Sequence, residues 1–276
     1  MRLSQGMRVI TILLAGLTLA AAARGAVPSG NDLVKVRLVS DVNSVKAGEP
    51  FTLGIWLRVT PKWHVYWKNP GESGMATSVK WKLPDGFKAG ELNFPIPRQF
   101  GNSGDVIGYG YEDEVLLTAT ITPPNNLGPE KAQPFAADVS WLVCEKVCLP
   151  GKTTVNIIVP LEGGSSVAVA NPELFAKWKD RFPTAKLAKS GCESPRSAFA
   201  RWDKPVKDVH WFPVPPASSG IENIQTKTDG DVSTITFDLV PAPRDAAPMS
   251  FLVAWTDESG KQQGAEFTVN LPPAIK

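Results

Sequence analysis

The chain has 276 residues, with 29 Lys or Arg against 27 Asp or Glu, so its formal net charge is only +2. A chain of this balance lacks the strongly cationic surface that binding of nucleic acid or an anionic membrane requires. The chain is longer than a typical single domain, and its 25 Pro and 23 Gly are spread along it. These features predict two domains with many turns between short strands.

The first 23 residues have the composition of a secretory signal peptide. Arg2 and Arg8 give a positive charge to the segment that precedes the apolar run. Ala21 and Ala23 suit the positions that a signal peptidase recognises. The apolar run at residues 9–23 is shorter than the roughly 20 residues that a transmembrane helix needs. We therefore predict that the chain is exported and cleaved near Ala23. An uncleaved membrane anchor is the alternative.

Alternating apolar residues predict about seven strands in the first half of the chain. The segments alternate with period two or form short apolar runs between turns, and they cover residues 33–39, 51–60, 63–67, 77–83, 114–122, 135–143 and 152–161. Seven strands over this length are typical of an immunoglobulin-like β-sandwich, which we assign to residues 30–161. Residues 90–113 are rich in Gly, Pro and aromatic residues, and we interpret them as a long ordered loop, which is often functional.

The second half begins with a change of composition. Residues 162–204 are predicted to be a linker with one short helix, because Asn171 and Pro172 have the N-cap and first-turn chemistry of a helix that ends at Arg181. Beyond this linker the strand pattern returns, at residues 206–214, 232–240, 249–256 and 265–271. The predicted fold is therefore all-β: an immunoglobulin-like β-sandwich, a short helix, and a second, smaller β-sandwich in residues 205–276.

Two cysteines lie four residues apart, Cys144 and Cys148. On a straight strand their Cα atoms would be ~13 Å apart, whereas a disulfide needs roughly 4.4–6.8 Å. A bond between them therefore requires a bend, and Pro150 and Gly151 suit a break just after the pair. Closing so short a loop stabilises a fold by only ~2 kcal/mol, against ~4.7 kcal/mol for a 100-residue loop. The spacing alone fits a redox pair, a metal site or a structural disulfide.

Few other residues have side chains suited to metal binding or thiol chemistry. An alternative is that the cysteine pair binds copper or another soft metal, with His64 as the third ligand. We favour an ordinary strand position for His64, because one histidine is a weak metal signal and His210 lies in the other predicted domain. We predict no bound metal and no cofactor. Cys192 has no fourth cysteine to pair with, so we expect a free or intermolecular thiol.

Four segments in this order carry a resemblance to a known family. They are Trp63–Gly71 (WHVYWKNPG), Trp81–Gly86 (WKLPDG), Gly108–Glu112 (GYGYE) and the pair Cys144…Cys148 followed by Leu-Pro. Together they resemble the periplasmic N-terminal domain of DsbD-type thiol:disulfide interchange reductases. The resemblance covers about residues 33–160. It is closest to the ScsB-like, copper-tolerance-associated variant with two sandwich domains, although the second half of the chain fits only loosely.

The resemblance implies roles for single residues. Cys148 matches the cysteine that forms mixed disulfides with partners, and Cys144 matches its resolving cysteine, although many members space this pair more widely. The stretch Gly108–Tyr111 matches the cap loop that covers the thiols until a partner arrives. From this we hypothesise that Tyr109 and Tyr111 pack over the two sulfurs.

Acidic residues often lie near the cap loop in that family. Asp105, Glu112 and Asp113 are the candidates for this place, and the sequence does not choose among them.

The resulting functional prediction is thiol:disulfide interchange of the protein-disulfide reductase type. The family's transmembrane electron carrier and thioredoxin-like domain have no counterpart in this sequence, so we expect a separate transmembrane thiol reductase as electron donor. The expected acceptors are periplasmic thioredoxin-like or disulfide isomerase proteins, which the resemblance connects with copper tolerance and cytochrome c biogenesis. The alternatives are a non-catalytic docking module with a structural disulfide and a copper-binding C-x₃-C protein.

Overall fold

The computed structural model describes residues 28–101, 107–163 and 170–273. The predicted signal peptide with its cleavage point at Ala23 lies outside these residues, as does Asp105. Within the described ranges, no helix has both the length and the apolar character needed to cross a membrane. The structure is built from antiparallel sheets, which confirms the predicted all-β fold with an immunoglobulin-like sandwich.

In the described residues, the first sandwich contains one short helix and ten strands. They are α1 (Gly30–Leu33), β1 (Val34–Ser40), β2 (Phe51–Val59), β3 (His64–Gly71), β4 (Ser78–Lys82), β5 (Lys88–Ala89), β6 (Arg98–Phe100), β7 (Gly108–Glu112), β8 (Glu114–Thr122), β9 (Ala132–Cys144) and β10 (Cys148–Pro160). One sheet has the order β1-β2-β8-β5. The other has the order β10-β9-β3-β7-β6, and β4 pairs with β9. All seven strands predicted for this part of the chain are present.

Side chains that alternate along these strands form the core between the two sheets. Leu53, Ile55 and Leu57 of β2 are fully buried, and so are Phe135 and Val139 of β9. In a strand, successive side chains point to opposite faces, so each strand contributes every second residue to the core. The same alternation places the residues between them on the outer face of the sheet.

Glycines explain where the predicted loop at 90–113 differs from the structure. This segment contains β6 and β7, so the loop prediction is wrong for residues 98–100 and 108–112. A Cβ atom at Gly110 would lie 2.0 Å from the carbonyl oxygen of Val65 on β3. Glycine here marks a close approach of two strands rather than a turn.

The predicted break at Pro150 and Gly151 is also wrong, because both residues lie inside β10. A Cβ atom at Gly151 would lie 2.3 Å from the indole of Trp141, its cross-strand partner on β9. That indole is buried, and its Nε1 donates a hydrogen bond of 3.3 Å to the carbonyl oxygen of Gly30. Gly151 therefore makes room for Trp141, and the chain bends earlier, between the two cysteines.

The second sandwich is preceded by the predicted helix and contains seven strands between residues 170 and 273, the part that the structure describes here. The elements are α2 (Pro172–Lys179), β11 (Lys189–Ser194), β12 (Ser197–Arg201), β13 (Lys207–Val214), β14 (Gly220–Asp229), β15 (Val232–Val240), β16 (Ala247–Thr256) and β17 (Gln262–Leu271). Their sheets have the orders β11-β12-β15-β14 and β13-β16-β17.

The strands of the second sandwich begin earlier than the predicted boundary at residue 205. Strands β11 and β12 lie within the predicted linker 162–204, and β12 pairs with β15. The segment of β11 (KSGCES) contains no apolar alternation, so it gave no strand signal. Strand β14 was missed for a similar reason, because it is an edge strand whose residues are mostly exposed.

The two sandwiches share a continuous apolar contact. Phe212 of β13 is buried, and its ring centroid lies 6.0 Å from that of Trp67 and 5.2 Å from that of Tyr109. Beside it, Asn69 Nδ2 donates a hydrogen bond of 2.6 Å to the carbonyl oxygen of Pro213. The second sandwich therefore packs directly on β3 and β7 of the first.

Candidate active site

The cysteine pair lies at the tip of the long β9–β10 hairpin. Cys144 is the last residue of β9 and Cys148 is the first of β10, directly opposite it. They form a disulfide, with a Cα–Cα distance of 4.2 Å. The three residues between them make the turn, in which Glu145 N donates to the carbonyl oxygen of Val147 over 3.3 Å. The predicted bend between the cysteines is therefore confirmed, and two strands in continuous register position the sulfurs.

The two cysteines differ strongly in exposure. Cys144 is only 2% exposed, whereas Cys148 is exposed. The turn that precedes Cys148 is exposed as well, including Val147, whose exposed fraction is 59%. An approaching thiolate can therefore reach Cys148 from solvent, whereas Cys144 is almost completely buried.

His64 of β3 lies between Cys144 and an acidic residue. It is the Cα partner of Cys144 on β9 and of Glu112 on β7. Directly opposite residues project from the same face of a sheet, with Cβ atoms roughly 4.5–5.5 Å apart. The next residue of β3, Val65, is fully buried in the core. The side chains of the bonded cysteine, the imidazole and the carboxylate therefore form a row on the outer face, which we call the Cys144–His64–Glu112 row.

Two aromatic rings cover this row. The ring of Phe100 stacks on that of His64, with centroids 4.4 Å apart and an interplanar angle of 20°. The ring of Tyr66 meets His64 edge-on at 5.1 Å, and its hydroxyl lies 3.8 Å from Cys148 Sγ. Because a disulfide sulfur has no hydrogen, the hydroxyl is the donor in this weak contact. Sequence analysis missed both rings, although period two from His64 places Tyr66 on its face.

The structure places the two predicted cap tyrosines on the inner face of β7. Tyr111 is buried, and its hydroxyl donates a hydrogen bond of 2.7 Å to the carbonyl oxygen of Pro95. Tyr109 is buried against Phe212 of the second sandwich. This differs from the hypothesis that both rings pack over the sulfurs, because odd-numbered residues of β7 point inward. The tyrosine that reaches the disulfide is Tyr66.

Burial sets the protonation of the groups around the row. Burial lowers the pKa of His64, and the nearby Glu112 carboxylate raises it in part. Burial raises the pKa of Tyr66, so its hydroxyl keeps its proton at neutral pH. Glu112 itself accepts a salt bridge from Arg98 at 3.4 Å on the solvent side.

Residues 31–160 match the family model of the N-terminal domain of the thiol:disulfide interchange protein DsbD. The chain carries a DsbD-type N-terminal domain. Thiol:disulfide interchange is therefore the activity class of the family to which this domain belongs, and the domain here contains a bonded cysteine pair.

Two solved structures are similar to the chain. The N-terminal periplasmic domain of ScsB from Proteus mirabilis has 17% sequence identity and a TM-score of 0.64, over 87% of this chain and 95% of that one. The N-terminal domain of DsbD from Neisseria meningitidis in the reduced form has 11% identity and a TM-score of 0.29, over 48% of this chain and 87% of that one. No match was found among curated proteins. The ScsB domain therefore shares the fold over most of the chain.

The two described acidic candidates for the predicted cap region occupy different places. Glu112 lies in the row beside His64. Asp113 follows it at the turn between β7 and β8, with a φ of 57°, and its carbonyl oxygen accepts a hydrogen bond from Val59 N. Of the two, Glu112 is the one on the face that carries the cysteines.

The other predicted candidates lie outside the DsbD-type domain or do not form a metal site. Across the described ranges, no group of three or more His, Cys, Asp or Glu side chains is arranged to hold a metal ion. Cys192 is an unbonded thiol on β11 of the second sandwich, and its Sγ donates to the carbonyl oxygen of Asn270 over 3.5 Å. His210 is exposed on β13.

Proposed function

We propose that the chain is a periplasmic protein-disulfide reductase component that exchanges the Cys144–Cys148 disulfide with partner proteins. The observation that carries the proposal is the unequal exposure of the two bonded cysteines at a hairpin tip. A disulfide is exchanged when a thiolate attacks one of its sulfurs. Here the approach to Cys148 is open and that to Cys144 is closed. This supports Cys148 as the sulfur that bonds to partners and Cys144 as the resolving one.

The cycle has two halves. A thiolate of a separate transmembrane reductase attacks Cys148, Cys144 leaves as a thiolate, and a second donor thiolate then releases Cys148, so that the pair becomes a dithiol. The Cys148 thiolate next attacks the disulfide of a thioredoxin-like or isomerase partner and forms a mixed disulfide. Cys144 attacks Cys148, which restores the disulfide and frees the partner as a dithiol. The second attack is intramolecular, which favours it strongly over attack by other thiols.

The β6–β7 hairpin supplies the cap in this proposal. Phe100 on β6 covers His64, next to Cys144. The return strand β7, which contains the predicted cap segment Gly108–Tyr111, is anchored by the buried rings of Tyr109 and Tyr111. The cap shields Cys144 of a reduced pair from small oxidants in an oxidising compartment, while Cys148 stays open to a docking partner.

Trapping tests the proposal and the two cysteine roles. The chain is prepared in a Cys192→Ser background, with either Cys144→Ser or Cys148→Ser added, and is incubated with periplasmic extract. We expect Cys144→Ser to accumulate a reducible mixed disulfide with partners through Cys148, and Cys148→Ser to accumulate none. The reverse pattern would show that the roles are exchanged, and no adduct with either variant would favour a docking module. The trapped partners also report whether the electrons serve copper tolerance or cytochrome c biogenesis.

A further inference from the structure

We infer that His64 accepts the proton of the Cys144 thiol when Cys144 resolves the mixed disulfide on Cys148, with Glu112 stabilising the imidazolium that forms. The inference rests on the proposed function and adds a catalytic residue to it.

The need for a base follows from the burial of Cys144. Only the thiolate attacks a disulfide, and burial in apolar surroundings favours the neutral thiol. Cys144 is 2% exposed, so bulk water has little access to its proton. Cys148 is exposed and does not share this requirement. The resolving step is therefore the one that gains from a neighbouring proton acceptor.

The sheet register provides one neighbour with suitable chemistry. Cys144 is paired with Cys148 on β10 and with His64 on β3. Of these two, only the imidazole is an ordinary base near neutral pH. Burial favours its neutral form, which is the form that accepts a proton. Tyr66, the other polar group near the sulfurs, keeps its proton because burial raises its pKa, so it serves as a donor to Cys148.

Glu112 occupies the far side of the imidazole. It faces His64 from β7 as Cys144 does from β9, and its charge favours the protonated ring. On the solvent side Glu112 is paired with Arg98, and the ring of Phe100 stacks over His64. Proteins activate a hydroxyl or thiol nucleophile by placing a base beside it and a third group that supports the base. Here the carboxylate of Glu112 stabilises the imidazolium. The row thus has the order nucleophile, base and carboxylate.

The proton and electrons balance in the step. The Cys144 Sγ–H bond breaks and its proton passes to the His64 ring. The Cys144 thiolate attacks Cys148 Sγ, the bond from Cys148 to the partner sulfur breaks, and the partner leaves as a thiolate. The Cys144–Cys148 bond forms, so the pair loses two electrons and the partner disulfide gains them. The imidazolium then returns its proton to the departing thiolate or to water.

Two-phase thiol release separates this step from the first attack. The reduced chain, in a Cys192→Ser background, is mixed with one equivalent of dithiobis(nitrobenzoate). Attack by Cys148 releases the first coloured nitrothiobenzoate, and resolution by Cys144 releases the second. The rates of both phases are measured against pH for the parent, for His64→Gln and for His210→Gln. The last variant is a matched control, because His210 is the other histidine of the chain and is exposed on the second sandwich.

We expect His64→Gln to slow the second phase by roughly 100-fold at neutral pH, a typical loss for a proton acceptor, and to leave the first phase within about threefold. The parent's second phase should level off above the pKa of His64, whereas that of His64→Gln should keep rising. The ratio of the parent's second-phase rate to that of His64→Gln then falls about tenfold per pH unit until the Cys144 thiol itself ionises. His210→Gln should match the parent.

A pH-independent loss, or an equal loss in both phases, would mean that His64 only supports the structure and would overturn the inference. Glu112→Gln provides a second route if His64→Gln does not fold. Because Glu112 raises the pKa of His64, its removal should move the acidic limb of the second phase to lower pH. An unmoved limb would contradict the role of Glu112 in the row. If the parent released no nitrothiobenzoate, the proposed function would fall, and the inference with it.

Discussion

The ring of Phe212, from the second sandwich, lies 5.2 Å from that of Tyr109, on strand β7 of the first sandwich. The same ring contacts Trp67, on the strand that carries His64 and Tyr66. A side chain of one sandwich is thus part of the core of the other, directly behind the site. The contact gives the second sandwich a structural connection to the cysteines.

Phe212→Ala should therefore destabilise the chain and uncouple its two halves. A buried Phe replaced by Ala typically costs about 3–5 kcal/mol. We expect a loss of this size in the free energy of unfolding, and two separated transitions in urea where the parent shows one, followed by tryptophan fluorescence. Phe251→Ala is the matched control, because Phe251 is equally buried but packs inside the second sandwich. A Phe212→Ala chain with one transition would contradict the coupling.

Gly151→Ala should destabilise the hairpin that carries the cysteines. The added methyl group would overlap the indole of Trp141, which is buried in the core of the first sandwich. Overpacking of this kind costs typically about 1–3 kcal/mol. Chemical denaturation measures the loss, and Gly220→Ala is the control, since a Cβ atom there meets only an ordinary contact of 3.5 Å with Val240. Equal stability of the two variants would be evidence against the packing described for Trp141.

Phe100→Ala should expose the row without unfolding the chain. Phe100 is half-buried and covers the ring of His64. We expect the reduced pair of the variant to be oxidised severalfold faster by oxidised glutathione, because the small oxidant gains access to Cys144 as well as to Cys148. Phe199→Ala, at a half-buried position of the second sandwich, is the control. Unchanged oxidation of Phe100→Ala would remove the cap role from this residue.

We expect Val147 to affect the rate of exchange with protein partners and to have little effect on the rate with small reagents. It precedes Cys148 at the hairpin tip and is 59% exposed, which places it within any surface that docks on this sulfur. With a partner obtained by trapping, Val147→Ser should lower the second-order rate of exchange about tenfold, and its first-phase rate with dithiobis(nitrobenzoate) should change less than threefold. Ile158→Ser changes a 63% exposed residue at the far end of β10 and should leave both rates alone. Equal effects of the two variants would argue against docking at the tip.

The three tyrosines of the chain should resist ionisation in the folded state. Burial raises the pKa of Tyr66, raises that of Tyr109 to about 12, and raises that of Tyr111 well above its ordinary value. The neutral hydroxyls thus contribute stability that is fully present below about pH 10, the ordinary tyrosine pKa, and is lost as the pH rises through the folded-state values. We expect little phenolate absorbance near pH 10.5 before unfolding and a large increase on adding urea. Full ionisation of the folded chain at that pH would contradict the burial of these rings.

Period-two alternation made most of the fold predictable. The strands rich in Val, Leu and Ile were found within a few residues of their observed bounds, and so was the helix that begins at Pro172. The polar strand β11 gave no such signal, and Gly108 and Gly110 in β7 resembled a loop although Gly110 allows two strands to approach closely. The local alternation of apolar residues indicates which side chains of a strand are buried, but it does not indicate which distant strand pairs with it.

The candidate site was predictable in part for the same reason. The cysteine pair and the bend between the two cysteines could be predicted, because both follow from their spacing along the chain. The Cys144–His64–Glu112 row joins three strands that are far apart in sequence, and it depends on their register. The resemblance predicted a cap segment at Gly108–Tyr111, but only the register distinguishes the inward-facing Tyr111 from its outward-facing neighbour Glu112.

The reduction potential of the Cys144–Cys148 pair tests the central claim most directly. The Cys192→Ser chain is equilibrated in glutathione or dithiothreitol buffers of graded potential, and the fraction of dithiol is read by alkylation and mass. We predict a potential between about −120 and −270 mV, the range of proteins that exchange disulfides. A pair that stays oxidised below about −300 mV would be a structural bond, and the account of exchange through Cys148 would be wrong.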